Sequence, residues 1–198
     1  MRNLFIALFL LSTIDGFSQE VKLKEYSHTE FFKMIAAEKD TLFKLRDAFI
    51  RFTSQDSLFS YRKIKEDFVF DKTDTIIVNK YIDLDNVHFE HQYDLSEFGF
   101  SDDKGRAIPL VMFNKDVFIS NTSSLVFYNC IFKGEVNLYS YTSTEEIDQL
   151  KKAYIGYQPS IAIYNSQLHN DVSFFIGDSN TFSPLSTMFS RNKISSNN

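Results

Sequence analysis

The sequence has little of several residues that mark special classes of protein. It contains a single cysteine, Cys130, so no internal disulfide can form and the small disulfide-stapled folds are excluded. Three prolines and six glycines among 198 residues exclude collagen-like and low-complexity chains. Tryptophan is absent, whereas phenylalanine occurs 22 times and tyrosine 10 times. With 43% hydrophobic residues, the chain is long enough for one globular domain with a core.

A large excess of positive or negative charge is also lacking. The formal net charge is −5, so the sequence offers no basic surface for nucleic acid or for anionic lipid. Beyond the first residues, no apolar run approaches the roughly 20 residues that a transmembrane helix needs. We therefore expect no nucleic-acid partner and no membrane span in the mature chain.

The N-terminus has the pattern of an export signal. A short positive start precedes an apolar run over residues 4–14, which is too short to span a bilayer. Small residues at Gly16 and Ser18 predict cleavage after Ser18, and the absence of a nearby cysteine argues against a lipoprotein signal. The mature chain is expected in the periplasm, at the cell surface or outside the cell.

Two segments have the signature of a helix that begins with a capping box. Ser27 and Glu30 precede an apolar run, which predicts a helix over about 28–39 that covers one end of the core. Ser143 and Glu146 precede a second amphipathic stretch, which predicts a short helix at about 144–154.

A degenerate repeat organises the remainder of the chain. Each copy reads as a large apolar residue, any residue, a large apolar residue, any residue, Asn or Asp, a small residue, any residue, and a large apolar residue. Four segments follow this pattern: 43–50, 82–89, 125–132 and 161–168. The first residues recur at intervals of 39, 43 and 36 residues, so each interval must hold two coils or a coil with an insertion.

The spacing within each copy favours strands over helices. Apolar residues two positions apart lie on one face of a strand, whereas helical faces recur at 3.6 residues. The Asn or Asp that follows tolerates the left-handed or bridge conformation of a corner. These corner residues are Asp47, Asn86, Asn129 and Asn165. A path of strands and corners repeated in this way predicts a β-solenoid in which equivalent positions stack. The alternative is an antiparallel sandwich, although Asn-Gly and Asp-Gly hairpin turns are missing beyond the predicted signal peptide.

The third copy and its continuation resemble the divergent pentapeptide-repeat pattern. The matching residues are Leu125, Phe127, Asn129, Cys130, Phe132, Gly134, Val136 and Leu138. The resemblance covers about 60 residues and implies a right-handed parallel β-helix, with small residues such as Cys130 pointing inward. Some members of this family are cytoplasmic DNA mimics, which the export signal and the modest charge do not favour. A generic right-handed β-helix is nearly as good an interpretation.

These features divide the chain into a signal peptide (1–18), a capping-helix segment (19–40) and a β-solenoid domain (41–198). Insertions are predicted near 96–108, where the sequence is polar and rich in turn residues, and near 142–158, which contains the second predicted helix. The C-terminal sequence offers no cap for the last coil, so we expect edge-to-edge association there, another partner, or a longer protein.

Motifs for catalysis, metal binding or cofactor binding are not found. The best polar cluster comprises Asp83, Asp85, His88, Glu90, His91 and Asp94. Asp83 and Asp85 share the outward face of a strand, with His88 also pointing outward, but the other copies place no carboxylates at the matching positions. We therefore expect no catalytic, cofactor or metal site, and treat Asp83 and Asp85 as candidate binding residues on a solvated face.

Tyr128 and Tyr164 occupy the same outward position in two copies, where they would form an aromatic stripe able to stack on sugar rings or to hold a protein partner. The sequence thus predicts an exported, non-catalytic structural or binding β-solenoid with an unknown protein or glycan partner. Two alternatives remain open, namely the extracytoplasmic sensor part of a larger membrane protein and a carbohydrate-active β-helix enzyme.

Overall fold

The structure is a computed structural model that describes residues 22–51, 61–63, 75–90, 104–106, 110–155, 157–164, 166–177, 187–190 and 193–194. Over these residues the protein is mainly β, with parallel sheets and two short helices. The predicted signal peptide, its cleavage point and most of the insertion near 96–108 lie outside the described residues. So do the last four residues of the chain.

The helices are α1 (His28–Ala37) and α2 (Thr144–Ala153). The strands are β1 (Lys24–Ser27), β2 (Leu42–Arg51), β3 (Tyr61–Lys63), β4 (Ile76–Val78), β5 (Tyr81–Phe89), β6 (Lys104–Arg106), β7 (Val111–Phe113), β8 (Val117–Ser120), β9 (Leu125–Tyr128), β10 (Cys130–Phe132), β11 (Val136–Ser140), β12 (Ile161–Tyr164), β13 (Gln167–Leu168), β14 (Val172–Ile176), β15 (Thr187–Ser190) and β16 (Lys193–Ile194).

Three parallel sheets contain most of these strands. The six-stranded sheet has the order β1-β2-β5-β8-β11-β14, the five-stranded sheet β16-β13-β10-β7-β4, and the three-stranded sheet β15-β12-β9. The chain passes through the three-, five- and six-stranded sheets in that order as β9, β10 and β11, and again as β12, β13 and β14. The short strands β3 and β6 form an antiparallel pair, so residues 104–106 of the predicted insertion belong to a strand.

The first repeat copy pairs with the second, and the third with the fourth, in the register that their alignment predicts. Strand β2 runs parallel to β5 with Leu45 opposite Leu84, and β9 runs parallel to β12 with Phe127 opposite Ile163. The second and third copies do not stack, because β5 pairs instead with β8. The alignment missed β8 because its copy of the pattern ends in Ser124 where the others have a large apolar residue.

The described corners of the repeat adopt the left-handed conformation, which is one of the two predicted for them. Asp47, Asn86 and Asn129 have φ values of 50°, 55° and 54°. The Asn86 amide donates to the Asp47 carboxylate over 2.8 Å, which ties the corners of adjacent strands together. Asn121 is a further corner, with φ of 51°, that follows the missed strand β8. Asn165 lies outside the described residues. Asp and Asn suit these sites because they tolerate positive φ better than other residues with a Cβ atom.

The inward side chains of the strands form one apolar core. Phe113 and Phe132 stack in register, with ring centroids 5.0 Å apart and planes within 4° of each other. The small corner residues Ala48, Val87 and Cys130 are buried, as predicted from their size. Burial also raises the pKa of the Cys130 thiol, so this residue acts as a small apolar side chain.

Helix α1 closes one end of this core. The hydroxyl of Ser27 accepts from the Glu30 amide over 3.1 Å, and the Glu30 carboxylate accepts from the Ser27 amide over 2.8 Å, so the predicted capping box is present. Phe31 contacts the rings of Phe43 and Phe89 edge to face. The helix ends at Ala37, two residues earlier than predicted, because Glu38 is extended and its carboxylate accepts from the next two amides.

Helix α2 covers a second apolar cluster. Its capping box joins Ser143 and Glu146 as predicted, with Ile147 and Leu150 on the buried face. These side chains pack with Leu23, Phe49, Tyr154 and Tyr157. Phe49 belongs to β2, and its neighbour Ile50 faces the main core, so α2 lies against the outer side of the six-stranded sheet.

Candidate functional site

The outer face of the six-stranded sheet carries the predicted candidate residues of β5. The strand register arranges its outward side chains in two rows, one residue from each of β2, β5, β8, β11 and β14. The first row is Lys44, Asp83, Phe118, Asn137 and Ser173, and the second row is Arg46, Asp85, Ser120, Tyr139 and Phe175. The face thus changes from charged side chains on β2 and β5 to uncharged and aromatic side chains on β8, β11 and β14.

The two aspartates lie side by side on this face, each opposite a cation. Lys44 Nζ is 3.7 Å from Asp83 Oδ2, and Arg46 Nε is 3.6 Å from Asp85 Oδ2. The hydroxyl of Ser120 also donates to Asp85 Oδ1 over 3.2 Å. Ion pairs of this exposed kind contribute about 0–1 kcal/mol to stability. The pairing balances the charge of both carboxylates.

His88 differs from the sequence-based expectation of a solvated side chain. It does point away from the main core, but the second cluster under α2 covers it and its exposure is 0%. Its Nε2 lies 2.9 Å from Asn86 Oδ1, and its Nδ1 lies 3.2 Å from the Tyr157 hydroxyl and 3.5 Å from that of Ser123. Burial lowers the pKa of His88 to about 3, so the imidazole is neutral near pH 7.

This buried group of His88, Ser123 and Tyr157 resembles a catalytic set only in its residue types. The hydroxyls of Ser123 and Tyr157 are hydrogen-bonded to each other. Burial raises the pKa of the Tyr157 hydroxyl, and all three side chains are closed off from solvent. The arrangement satisfies polar atoms inside an apolar cluster, which is a structural role.

The remaining members of the polar cluster do not converge on the aspartates. Glu90 Oε1 lies 3.8 Å from Arg51, whose other terminal nitrogen donates to Glu25 over 2.8 Å. His91 and Asp94 lie outside the described residues. Across the part of the chain that the structure describes, no group of three or more His, Cys, Asp or Glu side chains is arranged to hold a metal ion.

Tyr128 and Tyr164 are aligned on adjacent strands of the three-stranded sheet. They are Cα partners in the register of β9 and β12, as the repeat alignment predicts. Tyr164 is half-buried, and the side chain of Tyr128 lies outside the described part of the structure. The aromatic stripe at these two residues therefore stays a prediction.

A different aromatic cluster, which the sequence-based search missed, lies on the outer face described above. Tyr139 and Tyr141 alternate along β11 and its extension, and Phe175 on β14 is the register partner of Tyr139. We call these three residues the aromatic triad. Their side chains are 37%, 48% and 50% exposed, respectively. The alternation of Tyr139 and Tyr141 in the sequence could have indicated an aromatic strand face. The pairing of Tyr139 with Phe175 could not be predicted, because it depends on the register between β11 and β14, which are separated in the chain by helix α2.

A shallow depression lies at the turn between α1 and β2. Its volume is about 620 Å³, and its walls include Glu38, Asp40 and Lys44. Lys80 Nζ donates to the backbone carbonyls of Glu38 and Asp40 over 2.6 and 2.7 Å, which ties this turn to the start of β5. Because of these contacts, we interpret the polar groups around the depression as parts of the turn.

Comparison with family models, curated proteins and solved structures yields no match to this chain. Neither α1 nor α2, the helices of the described residues, has the length and apolar character required to cross a lipid bilayer.

Proposed function

We propose that this protein is an exported, non-catalytic binding or structural protein built on a right-handed parallel β-helix. In this proposal the coils form a rigid support, and the outward side chains of the six-stranded sheet contact the ligand. The two copies that contain Tyr128 and Tyr164 form part of the same solenoid.

The observation that carries this proposal is the recurring path of the chain. β9, β10 and β11 occupy three sheets in turn, and β12, β13 and β14 lie beside them in parallel register. Parallel strands reached repeatedly in the same order are what a coil of constant direction produces. The strong preference of parallel crossovers for one hand favours the right-handed form.

A binding role agrees better with the outer face than catalysis does. Asp83 and Asp85 face cations, and His88 is buried, so these groups are poorly placed to exchange protons with a substrate. The aromatic triad, by contrast, is accessible to a ligand without any conformational change. Exposed aromatic side chains combine apolar area with few rotatable bonds, which suits recognition.

Screening of the purified, labelled protein on glycan and peptide arrays tests this function. Each hit is then incubated with the protein and examined by mass spectrometry. We expect saturable binding to at least one class of ligand and recovery of that ligand unchanged. Time-dependent conversion of the ligand would contradict the proposal, and a protein that binds neither class would refute the binding role and leave the structural one.

Export is tested with a reporter fused after Glu20. We expect the reporter to be found outside the cytoplasm, with the new N-terminus at Gln19 in N-terminal sequencing. Retention of the intact fusion in the cytoplasm would refute the predicted signal peptide.

A further inference from the structure

The aromatic triad combines two strands into one accessible surface. Tyr139 and Tyr141 have ring planes within 2° of each other and centroids 6.5 Å apart. The ring of Phe175 lies 6.3 Å from Tyr139 and 5.8 Å from Tyr141, tilted by 41° and 42°. The three rings therefore form one cluster rather than being scattered singly over the surface.

Among the described residues, the outward side chains of β8, β11 and β14 beside the triad carry no charge. Phe118, Ser120, Asn137 and Ser173 complete the outward positions of β8, β11 and β14. The nearest charged strand, β5, carries aspartates that already face Lys44 and Arg46. Within the part of the chain that the structure describes, this region of the face carries no cation for an anionic ligand, whereas the hydroxyl groups of the exposed residues Tyr139, Tyr141 and Ser173 are available to a neutral polar ligand.

The size of the surface distinguishes between ligand classes. At the observed exposure, the three rings present on the order of 300 Å² in total. Stable protein interfaces bury about 800 Å² on each partner, so the triad is too small to hold a folded protein by itself. The centroid spacing is slightly longer than the repeat of one pyranose unit in a linear chain, so a few sugar units span the triad.

We propose that the aromatic triad binds an uncharged oligosaccharide, an inference that rests on the proposed binding function. The apolar C–H faces of the sugar rings stack on Tyr139, Tyr141 and Phe175. The hydroxyl groups at the sugar edges exchange hydrogen bonds with the two tyrosine hydroxyls and with the hydroxyl of the exposed residue Ser173. Aromatic rings suit this chemistry because they supply an apolar face with little loss of side-chain entropy.

Binding of neutral hexasaccharides of glucose, xylose, mannose and N-acetylglucosamine to the full chain tests the site. Titration calorimetry gives the dissociation constant, and saturation-transfer NMR identifies the sugar protons in contact with the protein. We expect at least one hexasaccharide to bind, with saturation strongest at its C–H protons. Each of Tyr139→Ala, Tyr141→Ala and Phe175→Ala should weaken that binding about tenfold.

Two further variants separate stacking from other effects. Tyr139→Phe keeps the ring and should change the dissociation constant by no more than about threefold. Tyr81→Ala removes an aromatic side chain of similar exposure, 39%, at the start of β5, and should leave binding unchanged. Circular dichroism and thermal unfolding of each variant confirm that the fold is retained, and the saturation-transfer result on the unaltered protein does not depend on any variant.

Each contrary outcome has a distinct meaning. If the protein binds a peptide on the array but none of the hexasaccharides, the binding function stands and the saccharide site is refuted. If a hexasaccharide binds but the triad variants bind it equally well, or Tyr81→Ala weakens it as much, the site lies elsewhere and the inference is wrong. If the protein is a dimer and Phe175→Ala dissociates it, a second copy of the chain covers the triad and the saccharide site is refuted. If neither sugars nor peptides bind, the binding role and the saccharide site are both refuted.

Discussion

The buried imidazole of His88 should make the stability of this protein depend on pH in the acid range. The ring is fully buried, and its hydrogen-bond partners Asn86, Ser123 and Tyr157 are all uncharged. With no anion among these partners, protonation inside the cluster is opposed by loss of hydration. Burial is accordingly the cause of the lowered pKa of His88, which is about 3 compared with 6.5 for an ordinary histidine.

The sign of the effect follows from where the proton binds. Between pH 6.5 and 3 the unfolded chain binds a proton at this residue and the folded chain does not, so acid favours unfolding. The contribution to stability is fully present above pH 6.5. It falls by about 1.4 kcal/mol for each pH unit below that value. At pH 4.5 the loss amounts to about 3 kcal/mol, a large part of the stability of a small domain.

Urea unfolding between pH 7.5 and 4.5 measures this loss, with the parent protein compared with His88→Gln. The substitution disturbs the packing to the same extent at every pH, and glutamine does not titrate. The difference in unfolding free energy between the two proteins should therefore shrink by about 3 kcal/mol as the pH falls from 7.5 to 4.5. His169→Gln serves as the control for replacing a histidine at a less buried position.

A constant difference between the parent protein and His88→Gln across this pH range would refute the reasoning. It would mean that His88 titrates alike in the folded and unfolded chains, and hence that α2 and Tyr157 do not shield it from water. If the difference from the parent protein changes with pH equally for His88→Gln and His169→Gln, the acid sensitivity is not specific to His88.

Three further predictions concern other parts of the fold. Gly134→Ala should lower the urea unfolding free energy by about 2 kcal/mol, because the new Cβ would lie 2.4 Å from the backbone carbon of Lys115. Ser143→Ala should cost about 1 kcal/mol in the same assay by removing the cap of α2, and Ser143→Thr should restore most of it. Cys130 should react with a thiol reagent at pH 8 only as fast as the protein opens, because burial raises its pKa; a rapid reaction without denaturant would contradict this.

Sequence patterns were sufficient where a structure depends on the local chain. Both capping boxes lie at the helix starts, because Ser27 and Ser143 bond to residues only three positions away. Alternating apolar residues define the strands, and Asp47, Asn86 and Asn129 occupy left-handed corners, because pleat and backbone conformation are properties of neighbouring residues. The inward position of Cys130 follows from the same alternation.

The tertiary structure decided which of these strands became neighbours. The copy at 82–89 pairs with β8 instead of the more similar copy at 125–132, because the order of strands in a sheet depends on how many residues lie between them and where insertions leave the sheet. The same dependence placed α2 and Tyr157 over His88, almost 70 residues earlier in the chain, and turned an expected solvent-facing side chain into a buried one. The register between strands also places Asp83 and Asp85 opposite the cations of β2 and places Tyr139 opposite Phe175. Local sequence thus determined the faces and corners of the strands, whereas the outward surface that a ligand would meet is set by contacts between distant residues.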